Sequence, residues 1–134
     1  MMPASSKKGG MALGFPDVCK TPAAPSPIPI PYPNIAQLSG TDKTAKKVLL
    51  SNKETVTEGS KISRSSGDEA GTLKGVISSK NMDQVKFKTY SSKVIAQGKK
   101  VVHVTSMTAH NGSNANMPAG AQLVPSQTKV IVGM

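Results

Sequence analysis

Gly14-Phe15-Pro16-Asp17-Val18-Cys19-Lys20-Thr21-Pro22 runs on into Pro25-Ser26-Pro27-Ile28-Pro29-Ile30-Pro31-Tyr32-Pro33-Asn34, where every odd position from 25 to 33 is proline. Proline fixes φ, lacks an N–H and holds the residue before it extended. The stretch is therefore strand or polyproline II, and helix is excluded. Successive backbone groups of a strand point to opposite sides, so the missing donors all fall on one side. The even residues keep their donors for the other side. That is an edge strand with one blocked side. A stiff linker, or a ligand for a proline-reading domain, is the competing reading. Ile28, Ile30 and Tyr32 at the even positions call for burial and favour the strand.

Working outward, the 134 residues are one domain's worth of chain. Aromatic content is 3%, and the aromatics are Phe15, Tyr32, Phe87 and Tyr90. The expected core is thin and aliphatic, and a domain with so little aromatic area needs a staple. A single cysteine cannot form an intrachain disulfide. Residues 1–12 read as a small, polar, flexible tail, with the domain proper over 13–134. Ala45 to Leu50 and Thr72 to Ser78 read as strands, and 55–70 as loop. In Gln84 to Tyr90, Val85, Phe87 and Thr89 alternate with Lys86, Lys88 and Tyr90, the pattern of a half-buried strand. Turns at Ser91-Ser92 and Gly98-Lys99 would lead it into 93–97 and 100–106 as a meander. Residues 111–120 read as loop, Lys129 to Val132 as a last strand, and 34–38 as at most one helical turn. Many short strands with turn signals make an all-β domain of strands and hairpins.

The formal net charge of +10 permits nucleic acid, an anionic membrane or an acidic protein as partner. The basic residues are isolated lysines or short pairs, and Arg64 is the one arginine. Base readout leans on arginine and single-strand binding on aromatics, so no nucleic-acid partner is expected. No apolar run reaches the length of a membrane span, and no stable membrane association is expected. Lys7-Lys8 is followed by no apolar run, so the start does not read as a secretory signal. Synthesis in the cytoplasm and export by a route without a signal peptide follow as the expectation.

Cys19, His103 and His110 are the soft or borderline metal ligands apart from methionine, and zinc wants four ligands. A structural zinc would have to be closed by the fold, joining the proline-rich strand region to the segment around His103 and His110. A catalytic zinc would further need an open position and a general base, which the sequence around these residues does not supply. A nucleophilic Cys19 needs a histidine to hold its thiolate, and Pro16 and Pro22 place it in a stiff extended segment. Without a metal, Cys19 is a buried small hydrophobe. Gly67-Asp68-Glu69-Ala70-Gly71 carries adjacent carboxylates, but it reads as a turn, lacking the further acids of a calcium loop. No phosphate-cradling loop is present in 112–120.

Three blocks follow in order along the chain: PDVCKTP with PIPIPYPNIA, then Gly59-Ser60-Lys61 with Ser65-Ser66-Gly67-Asp68-Glu69-Ala70-Gly71-Thr72, then Val101-Val102 leading to Thr108-Ala109-His110-Asn111. Together they resemble the PAAR-like domain family of contractile injection systems. The resemblance implies a small conical domain at the tip of a bacterial type VI secretion or related apparatus. One copy would cap a trimeric VgrG-type spike, sharpen it, link effector proteins and leave the cell with it. That role is structural, not enzymatic; a small zinc- or cysteine-dependent hydrolase is the alternative. In the resembled family a His and Cys metal site near the point staples the fold. Cys19 and His110 match that pattern, while His103 is carried by inventory alone. Ile28, Ile30 and Tyr32 are the expected contributors to a partner-binding apolar face.

Overall fold

The structure is a computed structural model that describes residues 2–133. Met1 of the expected tail and Met134 of the expected domain lie outside the described residues. The expectation of an all-β domain holds: thirteen strands and one 3-10 turn, Leu38–Gly40, make up the regular structure of the described residues. The main sheet is antiparallel. It contains β2 (Met11–Thr21), β3 (Ile28–Gln37), β4 (Thr41–Asp42), β7 (Lys61–Ile62), β8 (Val85–Phe87), β11 (Met107–His110) and β12 (Met117–Val124). Their order is β3-β2-β12-β11-β8-β7-β4. Three two-stranded sheets complete the fold: β1 (Met2–Pro3) with β13 (Ile131–Val132), β5 (Ala45–Leu50) with β6 (Lys53–Thr55), and β9 (Ile95–Ala96) with β10 (Lys99–Lys100).

The alternate-proline stretch lies in β3, at one end of the strand order. It pairs with β2 from Ile28 opposite Thr21 to Gln37 opposite Met11. On its other side Ile35 exchanges backbone hydrogen bonds with Ser66, at 2.7 and 2.8 Å. Pro29, Pro31 and Pro33 are exposed, as prolines facing away from the sheet interior should be.

Two small aliphatic clusters form the core. The first joins Ala12, Ala36, Leu38, Val56, Ile62, Val85, Phe87 and Val102 across the main sheet. The second joins Ala4, Ala45, Leu50, Ala96, Val101 and Val132 between the three small sheets. Phe87 is the one aromatic residue buried in either, so most of the apolar burial comes from Val, Leu, Ile and Ala.

Four sequence expectations are corrected. Residues 2–12 are not a loose tail: Ala4, Ser5 and Ser6 are fully buried. The Ser5 N–H donates to Val102 O at 2.8 Å, and the Val56 N–H donates to Ser5 O at 2.9 Å. Small polar residues can enter an interior when the backbone around them is fully paired, and composition alone does not reveal that pairing. Residues 72–78 form turns and not a strand, meeting β2 only through the Cys19–Gly75 bridge and neighbouring hydrogen bonds. The expected meander is divided, because β8 pairs with β7 and β11 while β9 and β10 form their own hairpin. Residues 117–120, expected as loop, open β12. For residues 2–12 and β8 the partner is distant in sequence, where local turn signals carry no information, whereas 117–120 pair with β11 directly before them.

Candidate acid, thiol and amide centre

Strand alternation places Asp17 and Cys19 two residues apart on one face of β2, and both are fully buried. Directly opposite them on β3 stand Tyr32 and Ile30, so the even positions of the proline-rich stretch turn to that same face. Ile30 and Tyr32 are half-buried there, and the Tyr32 hydroxyl shares a 2.6 Å hydrogen bond with Thr21. Ile28, at the rim, remains 48% exposed.

Asp68 reaches the same centre from the Gly67–Gly71 turn and is also fully buried. The turn expectation holds for its backbone, since the Gly71 N–H donates to Asp68 O at 3.0 Å. The Asp68 side chain does something the turn reading missed. Its carboxyl accepts the Met82 N–H at 3.1 and 3.2 Å and lies 3.8 Å from Cys19 Sγ. Asp17 Oδ1 lies 3.7 Å from that sulfur. One ligand atom from each of Asp17, Cys19 and Asp68 lies within 4.8 Å of the others. Ligand atoms this close are able to hold a metal ion. The missed signal was the Asp-x-Cys spacing, which in a strand puts both side chains on one face.

Three carboxamides surround Asp17. Asn111 donates to both carboxylate oxygens at 3.2 and 3.3 Å, Asn34 donates to Oδ2 at 3.3 Å, and Asn116 donates to Oδ1. The orientation of two of these amides is fixed by backbone donors on their oxygens. Asn111 Oδ1 accepts the Asp83 N–H, and Asn116 Oδ1 accepts the N–H groups of Ile77 and Ser78. Their NH2 groups must therefore point at Asp17, and also lie 3.8 and 4.0 Å from Cys19 Sγ.

His110 is fully buried between glycines. A Cβ on Gly14 would come within 2.7 Å of its ring and one on Gly120 within 2.5 Å, so β2 and β12 can close on the imidazole only without side chains there. His110 Nδ1 is 2.7 Å from Asn34 Oδ1, and Nε2 is 2.7 Å from Thr108 Oγ1. Because Asn34 turns its NH2 to Asp17, its oxygen accepts from Nδ1–H, and Nε2 accepts from the Thr108 hydroxyl. A chain of hydrogen bonds thus runs Thr108, His110, Asn34, Asp17. Burial holds the His110 imidazole neutral, lowering it to about 4 against the opposing pull of Asp17.

Burial, then a hydrogen bond with Asp17, pushes the Asp68 carboxyl up to about 7. Asp17 faces the three amide donors. Burial, then Asp17 and Asp68, pushes the Cys19 thiol up to about 12. Cys19 is a neutral thiol in this setting, the opposite of an activated nucleophile.

The His and Cys zinc set implied by the resemblance does not assemble. Both nitrogens of His110 are occupied. His103 sits elsewhere, bridged by its backbone to Ala4, with Nδ1 2.6 Å from Val104 O. The ligand group that does form is Asp17, Cys19 and Asp68, with amide hydrogens fixed where a further ligand would approach. A zinc site of the implied kind does not fit these residues.

Comparison with known proteins agrees with the sequence motifs. The family model described as a toxin PAAR-like domain matches residues 10–118. A curated relative, the DNase toxin Tse7 of Pseudomonas aeruginosa, is 35% identical over 124 residues. The match covers 87% of this chain and 32% of the relative, so the chain spans about a third of that protein's length. No solved structure matches. By the span of the family match and the order of its motifs on this fold, the chain belongs to the toxin PAAR-like domain family.

Proposed function

We propose that this domain is the rigid tip of a type VI secretion or related contractile spike, seated as one copy on a trimeric VgrG-type protein and linking effectors to it. The family match over most of the chain carries this reading. The relative's name, a DNase toxin, associates the domain with toxin delivery. The candidates for the seat are outward aliphatic residues of the three small sheets that share one apolar cluster. Each turns one aliphatic residue into the cluster and the adjacent one outward: Leu50 and Leu49, Ala96 and Ile95, Val132 and Ile131. The outward residues are 55%, 61% and 50% exposed. The alternative seat expected from the sequence, Ile28 with Ile30 and Tyr32, turns largely toward the acid and thiol centre.

The hydrolase alternative would need a reachable nucleophile or metal. Cys19, Asp17 and Asp68 are fully buried, and a polymeric substrate cannot reach them without unfolding the β2–β3 face. The staple this reading assigns to the tip is the hydrogen-bonded centre itself.

The test is to mix the purified chain with a trimeric VgrG-type spike protein from the same source and measure mass by size exclusion with light scattering. One copy per trimer is expected, lost in a Leu49→Glu, Ile95→Glu variant and retained in Ile28→Ser. Absence of a complex at micromolar concentration overturns the tip reading. Loss with Ile28→Ser alone moves the seat to β3.

A further inference from the structure

Residues 71–80 carry three large aliphatic side chains that the fold leaves in solvent. Leu73 is 47% exposed, Val76 50% and Ile77 57%. Exposed aliphatics scattered singly need no explanation, but three within five residues form a patch. A loose loop could fold such side chains back, and this one cannot. The Leu73 N–H donates to Lys20 O and the Val76 N–H to Val18 O, both at 3.1 Å, which fastens the loop along β2. The Lys20 N–H returns a bond to Lys74 O at 2.9 Å, and Gly75 N–H donates to Lys80 O at 2.8 Å. Buried Asn116 holds the N–H groups of Ile77 and Ser78 on one oxygen, at 2.8 and 3.2 Å.

The surrounding charge has one sign. Lys74 and Lys80 lie within the loop and Lys20 on the strand it is tied to, and all three are exposed. Between Ala70 and Met82 there is no acidic residue. At the near flanks, Glu69 turns its carboxylate back to accept the Gly67 N–H at 2.6 Å, and Asp83 is half-buried.

We infer that this clamped loop is a peripheral contact site for an anionic lipid surface, with Leu73, Val76 and Ile77 entering the headgroup boundary and Lys20, Lys74 and Lys80 meeting lipid phosphates. Three exposed lysines, with no acidic residue between Ala70 and Met82, complement an anionic surface. Aliphatic side chains beside lysines suit the boundary between acyl chains and headgroups. There the lysine stems lie along apolar material and the ammonium groups reach phosphate. Such a contact is shallow and reversible, and the inference does not depend on the spike reading.

The test uses the full chain with two kinds of vesicle, phosphatidylcholine alone and phosphatidylcholine mixed with phosphatidylglycerol, and reads the bound fraction by flotation at low and physiological salt. Binding to the mixed vesicles only is expected. Lys74→Gln with Lys80→Gln should weaken it about thirtyfold, since each lysine near an anionic surface contributes on the order of 1 kcal/mol. Val76→Ser with Ile77→Ser should weaken it at least tenfold by removing the apolar part. Lys46→Gln with Lys47→Gln, on β5, should leave it nearly unchanged. Failure of the wild type to float with mixed vesicles overturns the inference. So does an equal loss in the β5 variant, which would mean diffuse charge, or competition by a protein partner with no lipid binding.

Discussion

Asn111 holds both carboxylate oxygens of Asp17, at 3.2 and 3.3 Å, across 94 positions of sequence. The same amide donates to Lys80 O at 2.8 Å and takes the Asp83 N–H on its oxygen. One side chain therefore ties β2, the 71–80 loop and the entry to β8 to the end of β11. In a domain with so thin an aliphatic core, a satisfied buried network of this kind fixes segments that apolar packing alone would leave loose.

Asp17→Asn tests that role with almost no change of shape. It replaces the acceptor of three amides by a group that presents hydrogens to at least one of them. The expected loss of stability is about 3 kcal/mol, as for breaking a buried charge-assisted network. Urea unfolding measures it. An unchanged midpoint at unchanged slope would show that the network contributes no net stability.

Gly120→Ala tests the fit around His110. The new methyl would lie 2.5 Å from the imidazole and 2.7 Å from Leu13 O. Neither the buried ring nor the backbone can move away freely, so about 2 kcal/mol should be lost. Gly9→Ala, with open space around it, serves as the control and should stay within about 0.5 kcal/mol. Equal melting temperatures for the two variants would mean that β12 does not close on the ring.

Much of the fold was legible because its signals are local. Proline at alternate positions excluded helix from residues 25–33, and the Val85, Lys86, Phe87 alternation marked β8. The pairings were not local. Ser5 finds Val102, Cys19 finds Gly75, and β8 lies between β7 and β11; no turn residue announces any of these. At the centre, Cys19 and His110 were visible as rare residue types, and the structure brings both to one network. His103 was singled out for the same rarity and lies elsewhere. Asp17 and Asp68 were harder to see, because surface acids are common and only the fold shows these two to be buried. Ile77 and its neighbours read as a strand because aliphatic content resembles strand content, yet the fold leaves them outside.

The centre also sets a pH profile. Asp68 keeps its proton up to about 7 when folded and titrates near 3.8 when unfolded, so between those values the folded state binds more protons and stability falls as pH rises. His110 titrates near 4 folded and 6.5 unfolded, so in that window the unfolded chain binds more protons and stability rises with pH. The two slopes oppose each other, and the wild type should be nearly flat between about pH 4 and 6.5 in their combined contribution. Asp68→Asn leaves the His110 slope, so its stability should rise relative to wild type across that window, by at most about 1.4 kcal/mol per pH unit. Parallel profiles for the two proteins would show that Asp68 ionises normally in the folded state.

Chelation separates a hydrogen-bonded staple from a metal staple. With amide hydrogens of Asn111 and Asn116 directed at Asp17 and Cys19, the centre is complete without a cation. Prolonged dialysis against a strong chelator should leave the melting temperature within about 1 °C of the untreated protein, while Asp17→Asn lowers it by roughly 10 °C or more. A large drop on chelation, restored by zinc, would mean that the amides turn and the three ligand atoms close on a metal.

Thiol reactivity reports the same centre from the sulfur. Cys19 is fully buried, and its thiol is pushed up to about 12 by burial and by the two carboxyls beside it. Both access and thiolate fraction are therefore minimal in the folded state. A maleimide or disulfide reagent at pH 8 should label the native protein orders of magnitude more slowly than the protein in denaturant. The labelling rate should follow the population of open chain as urea is added, and Asp17→Asn should accelerate it in proportion to its lost stability. Fast labelling of the native wild type, independent of urea, would mean that the β2–β3 face opens locally over Cys19 and that the centre does not staple the tip.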